Sequence, residues 1–416
     1  MIVKIKDDKS YIEDVCLNDI TDSYTTPIYI YSQKIISDTY KHLKLHLSSE
    51  IFYSIKANSN QAILTLIKNL GAGADVVSAG ELQRAISAGF NPDKIIFEGV
   101  GKSKNDIEYA IDKNIRLINA ESLNEILLID EIGKSLHKKV NIGVRLNPNI
   151  DGKTLEKIST GKKTDKFGIG IEKLPEIISL ANTLNYIELK GISCHIGSQI
   201  NDLNIFKKVF KTMKKAAEKT ISSGINLEHL DLGGGFSVNY EEDLNSLDIK
   251  SIGDLIKSIF RDVKYKISFE PGRYLVAKAG ILITKILTTK KNGNINFLVV
   301  DAGMQTLLRP SLYGAFHRIK SFDNKEGEIK YSVVGPICES TDIIAKDINL
   351  PKQRINNFII VYDVGAYGFA MSSNYNSRGK PNEILINKNT FSLIHKEEKI
   401  DDIIKRDLVP NWLKIN

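Results

Sequence analysis

Eight short apolar runs alternate with helical patterns over residues 51–270, and strand patterns without long helices fill the rest of the chain. Together they predict an α/β fold, a (β/α)8 TIM barrel plus a C-terminal antiparallel, β-barrel-like domain. The eight runs are 51-IFYSI, 74-ADVV, 94-KIIFE, 115-IRLIN, 140-VNIGVRL, 190-KGISCHI, 228-EHLDL and 266-KISFE. Each is apolar on both faces, as parallel strands covered on both sides are. Between them, 60-NQAILTLIKNL, 80-GELQRAISAG, 105-NDIEYAIDKN and 121-ESLNEILLIDEIGKS carry apolar residues at helical spacing. Gly71, Gly89 and Gly133 stand where those helices should end.

After Gly272 the pattern changes. The runs 274-YLVAKAGILITKILTT, 295-INFLVVDAG, 329-IKYSVVG, 357-NFIIVYDVG and 384-EILINKNTFSLI read as strands of the second domain. The segment 26-TPIYIYS is a lone strand that the barrel does not need, so it is expected in the β-domain too. The predicted division is therefore 1–31 for an N-terminal segment of the β-domain, 32–272 for the barrel and 273–416 for the rest of the β-domain.

The 416 residues carry a net charge of +7, with 42% hydrophobic and 26% charged residues. That is ordinary globular composition and excludes disordered or collagen-like chains. The longest apolar stretches are strand-length and broken by Lys or Asp, so no membrane span is expected. The start, MIVKIKDDKS, has no apolar signal core. Three cysteines, Cys16, Cys194 and Cys338, are too few and too odd for a disulfide framework, and they point to a reducing cytoplasm. Lysines come in scattered doublets such as Lys207-Lys208, Lys214-Lys215 and Lys290-Lys291 rather than in a basic run. This reads as solvated surface rather than a nucleic-acid face, although an anionic substrate or cofactor suits a local positive excess equally well.

Active sites of such barrels lie at the C-terminal ends of the strands. The strand pattern nominates Lys56 after the first strand, His195 and Ser198 after the sixth, Gly233-Gly234-Gly235 after the seventh, and Glu270, Gly272 and Arg273 after the eighth. Each has a plain structural reading when taken alone. Lys56 can be a strand-end lysine with a buried stem, His195 a hydrogen-bonded core histidine, and Glu270 a turn cap before Pro271. The three glycines can be a tight turn, and they fail the dinucleotide pattern because Val238 stands where its third glycine would be. Together they are harder to dismiss. A desolvated lysine can form a Schiff base, a glycine turn suits a phosphate, and an imidazole can stack on a ring. A carboxylate can keep a pyridine nitrogen protonated, which makes pyridoxal phosphate an electron sink. A metal-dependent barrel hydrolase is disfavoured, since no cluster of histidines and carboxylates is evident at the strand ends.

The stretches 53-YSIKAN, 74-ADVVSAGEL, 195-HIGSQ, 231-DLGGGF, 270-EPGRYLVAKAG, 309-RPSLYGAFH, 335-GPICESTD and 363-DVGAYGFAMSSNYN resemble the fold-type III pyridoxal-phosphate decarboxylases in content and order. The resemblance spans nearly the whole chain. It implies that Lys56 holds pyridoxal 5′-phosphate covalently and that His195 stacks on its ring. It also implies that Ser198 and the Gly233–Gly235 turn bind phosphate with Gly272 and Arg273 nearby, and that Glu270 meets the pyridine nitrogen. Tyr367 is implied at both cofactor and substrate. Family members are homodimers with shared active sites, in which GPICES comes from the partner chain and Cys338 donates the proton that replaces carbon dioxide. Two departures, Ser54 where Ala is common and Thr341 where Gly is common, remove no functional group.

The implied activity is decarboxylation of meso-diaminopimelate to L-lysine and CO2, the last step of lysine biosynthesis. This substrate has an ammonium and a carboxylate at each end, so the end away from the cofactor needs its own partners. The resemblance puts Arg309 and Tyr313 at the distal carboxylate, with Arg273 assisting and Glu339 at the distal ammonium; an arginine fork suits a carboxylate. The alternatives are an ornithine, arginine or carboxynorspermidine decarboxylase of the same fold, or a catalytically silent family member. His317, Tyr375 and Asn376 lie in family-like stretches without an assignable role.

Overall fold

A computed structural model describes residues 2–7, 9–152, 160–162, 164–241, 247–323 and 325–414. The chain forms two compact units. One comprises 36–239 and 243–275; the other comprises 1–35, 240–242 and 276–416.

The first unit is a closed parallel barrel. Its strands are Glu50–Ser54, Gly73–Val76, Ile95–Phe97, Leu117–Ala120, Val140–Asn147, Ile187–Ser193, His229–Asp231 and Lys266–Phe269. Each pairs in parallel with the next, and the last closes on the first through Ser268↔Glu50 and Phe269↔Ile51. A short extra strand, Ile169–Gly170, pairs with the fifth.

The intervening helices start where side chains supply the missing acceptors. Asn60 accepts from the Ala62 amide, Ser78 from Glu81 and Ser122 from Glu125, and Ser103 forms a reciprocal capping box with Asp106. Gly71 and Gly89 follow helix ends, but Gly133 does not: it lies inside the helix Leu123–Ser135. A Cβ there would come within 2.9 Å of the Lys138 carbonyl and 3.1 Å of Tyr186. The glycine thus permits a close approach rather than a helix stop.

The second unit is a sheet domain. Its main sheet runs in the order Ile343–Leu350, Ile329–Val334, Ile295–Val300, Gly280–Asn292, Ile28–Ser32, Asn382–Asn387, Thr390–His395. Phe358–Tyr362 joins Gly280–Asn292 and carries Ile319–Ser321 on its other side. The N-terminal strand Ile28–Ser32 sits between Gly280–Asn292 and Asn382–Asn387. Most pairings are antiparallel, but two are parallel, Ile28–Ser32 with Asn382–Asn387 and Ile295–Val300 with Ile329–Val334. Parallel neighbours need long crossovers, and here the connections are residues 33–381, which hold the barrel and most other strands of this unit, in one case and the stretch 301–328 in the other.

Two sequence expectations change in this unit. Residues 273–279 are helical turns, so the strand starts at Gly280. The run at 384 is a hairpin of two strands, turned at Lys388 with φ 56°. A three-stranded sheet, Val3–Lys6, Lys9–Ile12 and Val15–Cys16, packs Val3, Ile12 and Val15 against Ile28, Ile30, Ile281, Ile283 and Ile360.

Candidate active site

The C-terminal ends of the barrel strands gather most of the nominated side chains. Lys56 sits in a 3₁₀ turn, Ile55–Ala57, directly after the first strand. Its Nζ is 3.7 Å from Oδ2 of Asp75, which is buried on the second strand. Ser54, the departure in the lysine motif, is used: its hydroxyl donates to Asp75 Oδ2 at 2.7 Å and lies 3.0 Å from the Glu270 carbonyl. It ties the first strand to the second and the eighth.

His195 follows the sixth strand. Its Nδ1 accepts from the Gly234 amide at 3.1 Å, so the ring carries its proton on Nε2. The Thr160 hydroxyl donates to the His195 carbonyl at 2.7 Å, and Arg145 Nη2 lies 3.4 Å from it. Burial, with Arg145 and Lys56 nearby, pushes the imidazole well below the usual histidine range. The ring is neutral at neutral pH, as stacking on a cationic ring requires.

The glycine turn is held from below. Asp231 ends the seventh strand and accepts from the Gly233 amide and the Ser268 hydroxyl, both at 2.6 Å. Glu270 donates its amide to the Gly233 carbonyl at 2.8 Å. Any side chain at Gly234 would run into the Glu270 carbonyl, so the close approach of seventh and eighth strand ends demands glycine there. The amides of Gly233 and Gly234 are thereby engaged within the protein. Arg273 is buried and donates through Nε to the Ser198 hydroxyl at 3.2 Å, which joins two nominated residues.

Glu270 is 7% exposed, and its Oε1 is buried without a hydrogen-bond partner among the described residues. Burial, reinforced by Asp231, Asp75 and Glu98, holds its carboxyl well above the usual range, against the pull of Lys56. An isolated buried carboxylate oxygen is costly unless something donates to it. A protonated pyridine nitrogen is such a donor. The residues present therefore fit pyridoxal phosphate: an amine at Lys56, a neutral imidazole, a glycine turn beside Ser198 and Arg273, and a carboxylate in need of a cation.

Sequence reasoning missed a carboxylate cluster in this mouth. Asp75, Glu98, Glu121 and Asp231 are all buried with Glu270. Arg145, also buried, pairs with Glu121 Oε1 at 3.0 Å and reaches Glu98 Oε2 at 3.9 Å. The Ser193 hydroxyl and the Asn119 amide donate to Glu98. The signal was a lone polar residue near the end of an otherwise apolar strand: Asp75 and Asp231 lie within strands, and Glu98 and Glu121 directly follow them. No group of described His, Cys, Asp and Glu residues is arranged to hold a metal ion.

The other nominated residues lie in the sheet unit. Arg309 and Tyr313 share one short helix, Arg309–Tyr313, with Arg309 buried and Tyr313 half-buried. Cys338 and Glu339 are exposed on a loop, where the Cys338 amide donates to Asn376 Oδ1 at 2.8 Å. Asp342 braces that loop by accepting from the Ile337 amide at 2.8 Å and the Met304 amide at 2.6 Å. The Ser311 hydroxyl donates to the Thr341 carbonyl at 2.7 Å and links the loop to the arginine helix. Tyr367 is half-buried with φ 56°, a left-handed conformation rare for an aromatic residue.

Residues 33–277 match the family model described as "Pyridoxal-dependent decarboxylase, pyridoxal binding domain". This chain belongs to the pyridoxal-dependent decarboxylases. It is an enzyme of that class, an amino-acid decarboxylase that uses pyridoxal phosphate. It is 37% identical over 98% of its length to diaminopimelate decarboxylase of Aquifex aeolicus, covering 97% of that protein. It is 41% identical over 93% of its length to the Helicobacter pylori protein of the same name, covering 96% of it. Among solved structures, the Methanocaldococcus jannaschii diaminopimelate decarboxylase in complex with L-lysine aligns with a TM-score of 0.94 at 35% identity, covering 99% of both chains. The Helicobacter pylori enzyme complexed with L-lysine gives 0.90 at 39%, covering 94% of this chain and 98% of that one. An arginine decarboxylase of Paramecium bursaria Chlorella virus shares the fold at 22% identity.

Proposed function

We propose that this family member decarboxylates meso-diaminopimelate to L-lysine and CO2, the last step of lysine biosynthesis. The observation that carries the chemistry is the buried Oε1 of Glu270, without a hydrogen-bond partner among the described residues, at the barrel mouth that also holds Lys56. The substrate rests on near-full-length similarity to enzymes named for it, two of them solved with L-lysine.

Bound pyridoxal phosphate supplies the electron sink for the pair left when carbon dioxide departs. The side chains do the rest. Lys56 would hold the cofactor covalently, and Asp75, 3.7 Å from its Nζ, would sit beside the ammonium once the substrate amine takes its place. Glu270 keeps a proton on the pyridine nitrogen. His195 covers the ring as a neutral imidazole. Ser198, Gly235, Gly272 and Arg273 take the phosphate, next to the two turn amides already committed to Asp231 and His195. Arg309 and Tyr313, assisted by Arg273, take the distal carboxylate, Glu339 the distal ammonium, and Tyr367 serves both cofactor and substrate. Cys338 delivers the proton to the carbon that lost carbon dioxide.

The active unit is a homodimer in which each Cys338 and Glu339 serves the partner's barrel. Their exposure on a braced loop of the single chain supports this. The protein works in the cytoplasm: its three cysteines are free, and no described helix is long and apolar enough to cross a membrane. The test is carbon dioxide release from meso-diaminopimelate, ornithine and arginine under one set of conditions. Turnover should favour diaminopimelate strongly; preference for either monocarboxylic substrate would overturn the substrate while leaving the cofactor in place.

A further inference from the structure

Arg309 has a defined neighbour that sequence reading left without a role. The Nη1 of Arg309 lies 2.8 Å from Nε2 of His317. The other ring nitrogen, Nδ1, lies 2.9 Å from the Tyr362 carbonyl oxygen. His317 is 2% exposed and Arg309 is 6% exposed, so water does not compete for these contacts. The two partners allow one protonation pattern. A guanidinium only donates and a carbonyl only accepts. Nδ1 must therefore carry the ring proton and give it to Tyr362, and Nε2 must offer its lone pair to Arg309. A second proton on Nε2 would point at the N–H of a cation.

Tyr240 completes the setting. Its ring meets His317 edge-on with centroids 5.5 Å apart, and the Arg309 guanidinium lies 4.8 Å from the same ring centre. Neither His317 nor Tyr240 brings a negative charge. These contacts orient the guanidinium without cancelling its attraction for an anion.

We propose that His317 is a positioning residue for substrate selection: its neutral ring, protonated on Nδ1, accepts from Arg309 and fixes the plane in which the guanidinium meets the distal carboxylate. This rests on the assignment of Arg309 to that carboxylate. A planar fork binds a carboxylate bidentately only when its plane is set, so the loss of the acceptor should harm binding of the dicarboxylate and little else.

The experiment compares the holoenzyme with His317→Leu, His317→Gln, Arg309→Ala and the His317→Leu/Arg309→Ala double variant. Each is assayed on meso-diaminopimelate and on ornithine, which has no distal carboxylate. His317→Leu should lower kcat/KM for diaminopimelate by roughly 10- to 100-fold, as the loss of a hydrogen bond to a charged group does. The loss should fall mainly in KM, leave ornithine unchanged, and add little to Arg309→Ala. His317→Gln should recover most of it, since its amide can accept from Arg309 and donate to Tyr362. In ¹⁵N-histidine spectra of the parent holoenzyme, one neutral ring protonated on Nδ1 should disappear in His317→Gln. If Arg309→Ala loses discrimination while His317→Leu keeps it, this proposal is wrong and the substrate assignment stands. If Arg309→Ala itself keeps discrimination, the substrate assignment fails first and this proposal with it. Should His317→Leu not fold, the spectra decide, and a ring at 317 protonated on Nε2 overturns the proposal.

Discussion

Asp231 offers the sharpest test of the electrostatics at the barrel mouth. Its carboxyl is pushed from 3.8 up to about 7, chiefly by burial and further by Glu98 and Asp75, although Ser268 and the Gly233 amide pull the other way. A carboxyl whose folded value lies above its unfolded value keeps its proton longer in the fold. Between those two values the native state binds more protons than the unfolded chain, so stability must fall as pH rises. At about 1.4 kcal/mol per pH unit, ionising Asp231 between about pH 5 and about pH 8 costs the fold on the order of 3 kcal/mol. Asp231→Asn removes that charge with little change of shape. The amide oxygen can still accept from Gly233, and the amide nitrogen can donate to the Ser268 hydroxyl. Urea unfolding of cofactor-free parent and variant should therefore give curves that lie closer together at about pH 5 than at about pH 8, meeting only below the unfolded value. At about pH 8 the variant should be more stable by roughly 2–4 kcal/mol. Part of the pH dependence should survive in the variant, because Glu98 and Glu270 are raised for the same reasons. Parallel pH slopes for the two proteins would refute the account of the mouth as a site of buried, mutually repelling carboxylates.

Four further outcomes are expected. Borohydride reduction followed by peptide mapping should find the cofactor on Lys56, and label on any other lysine would remove it from that role. Glu270→Gln should retain cofactor yet lose at least roughly tenfold in kcat, the scale of one buried charged hydrogen bond, and near-parental turnover would contradict its part in the electron sink. Lys56→Ala and Cys338→Ala, each inactive alone, should regain activity when mixed under conditions of verified subunit exchange; continued inactivity would count against a shared site. Arg309→Ala should lower kcat/KM on diaminopimelate by roughly 30- to 1,000-fold, with Arg309→Lys nearly as harmful because a point charge cannot replace the fork. Unchanged kcat/KM would move the distal carboxylate elsewhere.

All eight barrel strands were legible because parallel strands buried on both faces become unbroken apolar runs. The strand Ile343–Leu350 was not, since IIAKDINL puts charges at exposed positions of an outer strand. The N-terminal strands failed for the same reason: Lys4, Lys6 and Lys9 interrupt what the fold uses as a half-buried sheet. At the site, the residues found lie just after strands, while those overlooked lie within strands or, like Glu98 and Glu121, directly after strands whose motifs carried no role. Lys56, His195 and Glu270 stand just past a strand end, where barrel geometry calls attention to them. Asp75, Arg145 and Asp231 lie inside strands, and a single polar residue in an apolar run says nothing about which way it points until the barrel closes. Ser54 is the clearest case. In the sequence it is a departure from a motif, and in the fold its hydroxyl joins the strands that carry Lys56, Asp75 and Glu270.

The overlooked residues explain the ones that were found. Asp75, Glu98, Glu121, Asp231 and Glu270 are five buried carboxyls, and Arg145, Lys56 and Lys102 are cations that act on them. Full ionisation would leave the mouth with an excess of negative charge in a poorly solvated place. Burial and repulsion therefore favour the protonated acid at Glu270. A carboxylic acid is the wrong partner for a protonated pyridine, and a carboxylate is the right one. A cationic ring nitrogen arriving at Oε1 reverses the balance, because it supplies the charge that the cluster lacks. On the proposed assignment the cofactor and the ionised form of Glu270 would thus stabilise each other, and cofactor binding should release a proton from this cluster. The carboxyls that make Glu270 a poor acid on its own are what make it selective for a cation, and on the proposed assignment that selectivity would keep the ring protonated during decarboxylation.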